Sequence, residues 1–338
     1  MNDATYSRRS MLAAMGSVGV MAALGFAAPA RAQGLTKLVY QTGWLPQPEK
    51  GGLYQAAATG LYREHGLDVE IRVGAPQMNV NALFLAGRAD FADSDSFRIL
   101  NFVHQELPGV AVAAFGQKAP NVLLSHPGEA GPSLASLKGK PVLISAIGRQ
   151  TYWQWLKTRY GFTDEQIRPY TSSMAPFLAD PKLSMEGFVT SEPFDLQNAG
   201  VKPIVRLLAD DGYDAYSAIT LASPKQVAEQ PDIVQRFVDA TAKGWRSYLH
   251  GDPRPANDVI KRGNPDMSDA KIAYSIDAMK RYGIVDSGDA QAFGPGAMTD
   301  ARWKRFYDSM VAAAALPAGL DIRKGYTLQF VNKRVGMG

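Results

Sequence analysis

There is no cysteine anywhere in the 338 residues, and that absence removes several readings at once. Disulfides, thiolate metal sites and a thiol nucleophile are excluded. So is the lipid-bearing N-terminal cysteine that tethers some exported proteins. Histidine is scarce too. His65, His104, His126 and His250 never fall at i, i+4, so a helical zinc site is not expected. Neither sign of charge dominates: 36 Lys+Arg stand against 32 Asp+Glu, with no block of like charge in the body of the chain. That argues against nucleic acid and against an anionic membrane surface as partner. No Gly-x-Ser-x-Gly elbow, phosphate loop or Gly-x-Gly-x-x-Gly turn occurs. One Ser-x-x-Lys exists, Ser268 to Lys271, but it follows Pro265-Asp266 and precedes an apolar periodic run, the context of a helix N-cap. With no catalytic or metal signature, neither an enzyme nor a cofactor is expected.

What is present starts at the N-terminus. Ser7-Arg8-Arg9-Ser10 precedes an uncharged run, residues 11–29, rich in Ala and Gly, which ends in Ala30-Arg31-Ala32. A basic start, a weakly apolar middle and a small-x-small exit make a cleavable export signal. The paired arginines point to the twin-arginine route. A membrane anchor would fit the length, but not the scarcity of Leu, Ile and Phe. The expectation is a signal over residues 1–32, cleaved after Ala32, and a mature protein free in the periplasm.

From Gln33 the composition is globular, 46% hydrophobic and 20% charged over the whole chain. Strand patterns at 35–42, 67–73, 89–92 and 109–115 alternate with helix patterns at 51–65, 79–86 and 97–105. The alternation restarts after Pro120, with strands at 121–125, 141–145, 187–190 and 202–208 and an aromatic-rich helix at 151–160. Residues 215–222 read as a strand leaving this second unit. Amphipathic helices follow at 233–249, 270–282 and 300–314. The order implies an α/β chain of two lobes, each a mainly parallel sheet flanked by helices. Lobe 1 is expected over 33–120 and 218–338, and lobe 2 over the inserted 121–217. One large doubly wound domain is the alternative that the length permits.

Ligands in such sheets lie at the carboxyl ends of strands. Trp44, in Gly43-Trp44-Leu45-Pro46, occupies that place after the first strand, where it either stacks on a ligand or packs in the core. Tyr54 follows on the first helix. Ser94 and Asp95 end the third strand and suit N-capping as well as ligand hydrogen bonds. Ser145, Arg149 and Tyr152 repeat the arrangement in the second unit, with Arg149 suited to an anionic group. Glu192 ends a later strand, and Tyr213 and Tyr216 flank the return crossing. Aromatic faces beside mixed charge suit a planar nitrogen heterocycle first and an organosulfonate or aromatic acid second.

Trp44-Leu45-Pro46, Gly52-Leu53-Tyr54-Gln55-Ala56 and Gly60-Leu61-Tyr62-Arg63-Glu64-His65-Gly66-Leu67 resemble the opening of periplasmic substrate-binding proteins of ABC importers. The branch is the one that handles thiamine pyrimidine precursors, riboflavin, alkanesulfonates and taurine. Leu137-Lys138-Gly139-Lys140-Pro141-Val142, Thr190-Ser191-Glu192-Pro193 and Thr299-Asp300-Ala301-Arg302-Trp303 are similar to later landmarks of that family. Gln47-Pro48-Glu49-Lys50 departs from the Asn-Thr-rich stretch usual in the pyrimidine-precursor binders. The resemblance implies a type II binding-protein fold closing by hinge motion, a small solute and an inner-membrane permease as partners, and a monomer. Fungal pyrimidine synthases share the fold, but use a cysteine-rich motif that this chain lacks. A periplasmic sensor domain is a further alternative.

Overall fold

The computed structural model describes residues 34–75 and 78–337; the export signal and its cleavage point lie outside the described residues. In β1 (Thr36–Gln41), Leu38 and Tyr40 are buried and Lys37 is exposed, the period-two pattern of a half-covered strand. β2 (Leu67–Arg72), β3 (Phe91–Ser94) and β4 (Val110–Gly116) follow, with helices between them. The chain then builds β5 (Asn121–Ser125), β6 (Val142–Ile144), β7 (Ile167–Pro169), β8 (Ser184–Phe188) and β9 (Ile204–Leu207), and returns as β10 (Ser217–Ala222).

Two five-stranded sheets result, in the orders β2-β1-β3-β10-β4 and β7-β6-β8-β5-β9. β1 pairs parallel with β2 and β3, while β10 runs antiparallel between β3 and β4. The second sheet repeats the plan: β6 is parallel to β7 and β8, and β5 is antiparallel to β8 and β9. Each sheet therefore has one reversed strand, and it is the strand that has just crossed from the other sheet. This is the two-lobed, mainly parallel α/β arrangement that the strand–helix order implied.

Local chemistry shifts some boundaries. The helix expected over 51–65 is two, Gly51–Ala58 and Leu61–Glu64, because Gly60 between them takes a left-handed φ of 83°. β8 lies earlier than 187–190 because its register with β5 pairs Ser184 with Ser125 and Phe188 with Asn121. Val189 and Thr190 are thereby left to turn toward the next helix. The exposed edge of β4 is closed by the C-terminal segment: Ala114 N–H donates to the Gly296 carbonyl, and Thr327 N–H to that of Ala111, both at 3.0 Å.

The longest helix, Pro231–His250, lies across Gly51–Ala58 at close range. A Cβ on Gly244 would sit 2.2 Å from the Gly52 carbonyl oxygen, so only glycine permits this approach. On the sheet side, the fully buried Phe237 of the same helix stacks on Tyr40, Tyr62 and Phe91, with ring centroids 5.8, 5.2 and 4.3 Å away.

Two segments cross between sheets, 117–120 and 208–216. Arg302, on helix Asp300–Ala312 and 5% exposed, holds both. Its guanidinium donates to the Gln117 carbonyl of the first crossing, and pairs with Asp214 of the second at 2.9 Å. It also lies 4.2 Å over the Tyr216 ring.

Candidate functional site

The first wall of the site forms where β1 and β3 end. Thr42 Oγ1 donates to the Trp44 carbonyl and accepts from Gly74 N–H, both at 2.9 Å, which fixes the turn after β1. Trp44 stands 38% exposed on that turn rather than in the core. Pro48 starts one turn of 3-10 helix, a position that suits its missing N–H, and the turn carries Glu49 and Lys50 toward β3. The Lys50 ammonium pairs with Asp93. Three buried oxygens on this wall have no hydrogen-bond partner among the described residues: Glu49 Oε2, the Tyr54 hydroxyl and Ser94 Oγ. An unpaired buried polar atom costs about 1–3 kcal/mol, so such a group marks strain or a binding role. Burial first pushes the Tyr54 phenol well above its ordinary pKa, with the nearby Thr42 side chain opposing and the charge of Asp93 adding.

The second wall comes from the ends of β6 and β8. Ser145 Oγ accepts from Gly148 N–H at 3.1 Å and caps helix Ala146–Gln150. Glu186, on β8, accepts a hydrogen bond from the buried Tyr152 hydroxyl. A Cβ on residue 148 would sit 2.3 Å from Glu186 Oε2, so the glycine makes room for this carboxylate. Burial holds the Glu186 carboxyl above its usual range, outweighing hydrogen bonds from Ser145 and Tyr152. Glu192 opens helix Glu192–Asn198 and accepts from Phe188 N–H at 2.7 Å. Burial first, with the charges of Glu49 and Asp195 adding, pushes its carboxyl up to about 7.

The walls meet. Thr190 donates its hydroxyl proton to Glu49. On helix Asp269–Tyr282, Ser275 Oγ donates to the Thr190 carbonyl at 2.6 Å, and Lys271 pairs with Asp195 at 2.7 Å. The cleft thus collects Glu49, Glu186, Glu192 and Asp93 around tyrosines, and the two lysines beside them are each committed to an aspartate. No cluster of His, Asp and Glu among the described residues is arranged to hold a metal ion.

Trp44, Tyr54, Ser94, Ser145, Tyr152 and Glu192 are on these two walls. Tyr213 lies at the junction of the lobes, its ring edge-on to Tyr152, Trp155 and Phe306 at 6.2, 5.5 and 5.5 Å. Three candidates are placed differently. Asp95 is the N-cap of helix Ser96–His104, accepting from Arg98 N–H at 3.0 Å and pairing with the Arg98 side chain. Tyr216 is 1% exposed, and its hydroxyl is spent on Asp289 and on Thr299 N–H. Arg149 is exposed and makes no side-chain hydrogen bond or ion pair among the described residues. The sequence pattern did not single out Glu49 or Glu186. For Glu49 a signal existed, since Gln47-Pro48-Glu49-Lys50 directly follows the strand-end tryptophan turn.

The comparisons with known proteins agree with this fold. The riboflavin-binding protein RibY of Chloroflexus aurantiacus is 24% identical over 305 residues, 88% of this chain and 86% of that protein. The periplasmic aliphatic sulphonate binding protein SsuA from Escherichia coli superposes with a TM-score of 0.64 at 13% identity, covering 85% of this chain and 91% of its own. The desulfurization enzyme DSZB shares the fold at a TM-score of 0.54 and 13% identity, covering 86% of this chain and 96% of its own. Residues 47–256, which carry all of the second wall and most of the first, match the family described as NMT1/THI5 like, and the chain belongs to that family.

Proposed function

We propose that this chain is the solute-binding component of an ABC importer. It captures a small planar heterocyclic or aromatic solute between its lobes and delivers it to an inner-membrane permease. One observation carries the reading: two walls, built on separate sheets and joined by two crossings, meet at Thr190 and Glu49, where the first wall holds three buried oxygens without partners and the second adds the buried carboxyls of Glu186 and Glu192. Lobe 1 comprises residues 33–120 and 218–338, lobe 2 residues 121–217. The protein acts in the periplasm as a monomer without a nucleic-acid partner, exported by the twin-arginine signal and cut after Ala32. No helix among the described residues is long and apolar enough to cross a membrane. RibY's named ligand and the cleft tyrosines favour a ring.

Two alternatives are weaker. An organosulfonate needs a cation at the buried part of the cleft, whereas Lys50 and Lys271 are paired with Asp93 and Asp195 and Arg149 is exposed. A cysteine-dependent enzyme of the pyrimidine-synthase kind has no nucleophile here. Calorimetric titration with riboflavin, an aminopyrimidine and hexanesulfonate tests the reading. The ring compounds should bind more tightly, and Trp44→Ala should cost them about 1 kcal/mol through lost stacking. Tighter sulfonate binding, untouched by Trp44→Ala, would reverse the order of the two ligand classes.

A further inference from the structure

Glu49, Glu186 and Glu192 reach the cleft from three elements, and no Lys or Arg among the described residues forms an ion pair with them. The charged and titratable groups packed around Glu192 are Glu49, Glu186, Asp195, Tyr152 and Tyr170, with Lys271 committed to Asp195. Glu49 keeps one buried oxygen free while Thr190 occupies the other. The Tyr54 hydroxyl and Ser94 Oγ, 2% and 3% exposed as residues, are likewise unpartnered on the wall that carries Glu49. Clustered acids inside a protein are costly unless a positive partner joins them. Exposed apolar side chains flank the two walls in sequence: Trp44 after β1, Ile147 beside Gly148 and Phe188 at the end of β8 are 38%, 57% and 40% exposed.

Resting on the solute-binding reading, we propose that the cleft selects ligands carrying a cationic nitrogen group, an ammonium, amidinium or protonated aminopyrimidine, seated among Glu49, Glu186 and Glu192, with a flat apolar body under Trp44, Ile147 and Phe188. The group takes the proton-accepting oxygens that the protein leaves unsatisfied. Its binding requires the carboxylates ionised, so affinity falls as pH drops below about 7, where Glu192 gains its proton.

The test is calorimetry and thermal melting at pH 8 with benzamidine and benzylammonium against benzyl alcohol, benzoate and benzenesulfonate. The two cations should raise the melting temperature and the two anions should not. Glu192→Gln keeps an oxygen for Phe188 N–H, and should lose roughly ten- to hundredfold in cation affinity and flatten its pH dependence. A raised carboxyl pKa stabilises the folded state at low pH, and that stability is lost as pH rises through about 7. Unliganded Glu192→Gln should therefore melt higher than the wild type at pH 8 and alike at pH 4. Binding by the neutral or anionic probes alone would overturn the cationic selection and leave a solute-binding protein. A response to none of them, nor to riboflavin, would overturn both readings.

Discussion

Arg302→Met should lower the stability of the protein by about 3 kcal/mol, near the lower end of the cost of breaking a buried ion pair. The guanidinium is nearly inaccessible, and it satisfies the Gln117 carbonyl, Asp214 and, at 3.8 Å, Asp289. Part of the loss is offset. Arg305 stays 3.0 Å from Asp214, and Tyr216 still donates to Asp289. Methionine keeps much of the packing volume, so the change reads chiefly the charge and its hydrogen bonds. Urea unfolding gives the result as a lower midpoint at unchanged slope. Lysine should rescue less than half of the loss, since one ammonium cannot reproduce the planar fork that spans both crossings. A loss below about 1 kcal/mol would mean that the bracket behaves like a surface pair.

A larger loss, about 4 kcal/mol, is expected for Phe237→Ala. The ring is fully buried and stacks on three others drawn from two strands and a neighbouring helix. Truncation removes that apolar burial and leaves a cavity that the sheet of β1 and β3 cannot close, and the aromatic stacking is lost in addition. Denaturant titration measures it. Loss of less than about 1.5 kcal/mol, the size of an Ile→Val change, would show that the first lobe relaxes around the gap.

Phe237 and Arg302 also mark the limits of reading the chain. The spacing of Val234, Phe237, Val238, Thr241, Ala242, Trp245, Tyr248 and Leu249 declares a helix with one buried face, and the helix is there. The strands were legible for the same reason, and with them the two-lobed order. Arg302 was visible only as part of a helix start, because nothing local says that its side chain reaches two distant crossings. Arg149 shows the opposite limit. It occupies the right turn, after a strand and at the head of a helix, but a five-residue helix can present any face. Packing turned Gly148 toward Glu186 and left Arg149 outside. Glu186 went unread because register with β5 places it inside β8, upstream of the strand that the local pattern suggested. Side-chain facing at a strand end is set by tertiary contacts, so a list of strand-end residues gives the neighbourhood of a site before its members.

Capture of a solute between the lobes is the central claim, and small-angle X-ray scattering tests it most directly. Profiles are recorded without ligand and with a saturating amount of whichever ring compound binds most tightly in calorimetry. Hinge closure about the segments 117–120 and 208–216 should reduce the radius of gyration and bring Thr190 to Glu49 as in this structure. Tight binding with an unchanged profile would contradict it, placing the solute on a rigid surface instead of between two moving walls.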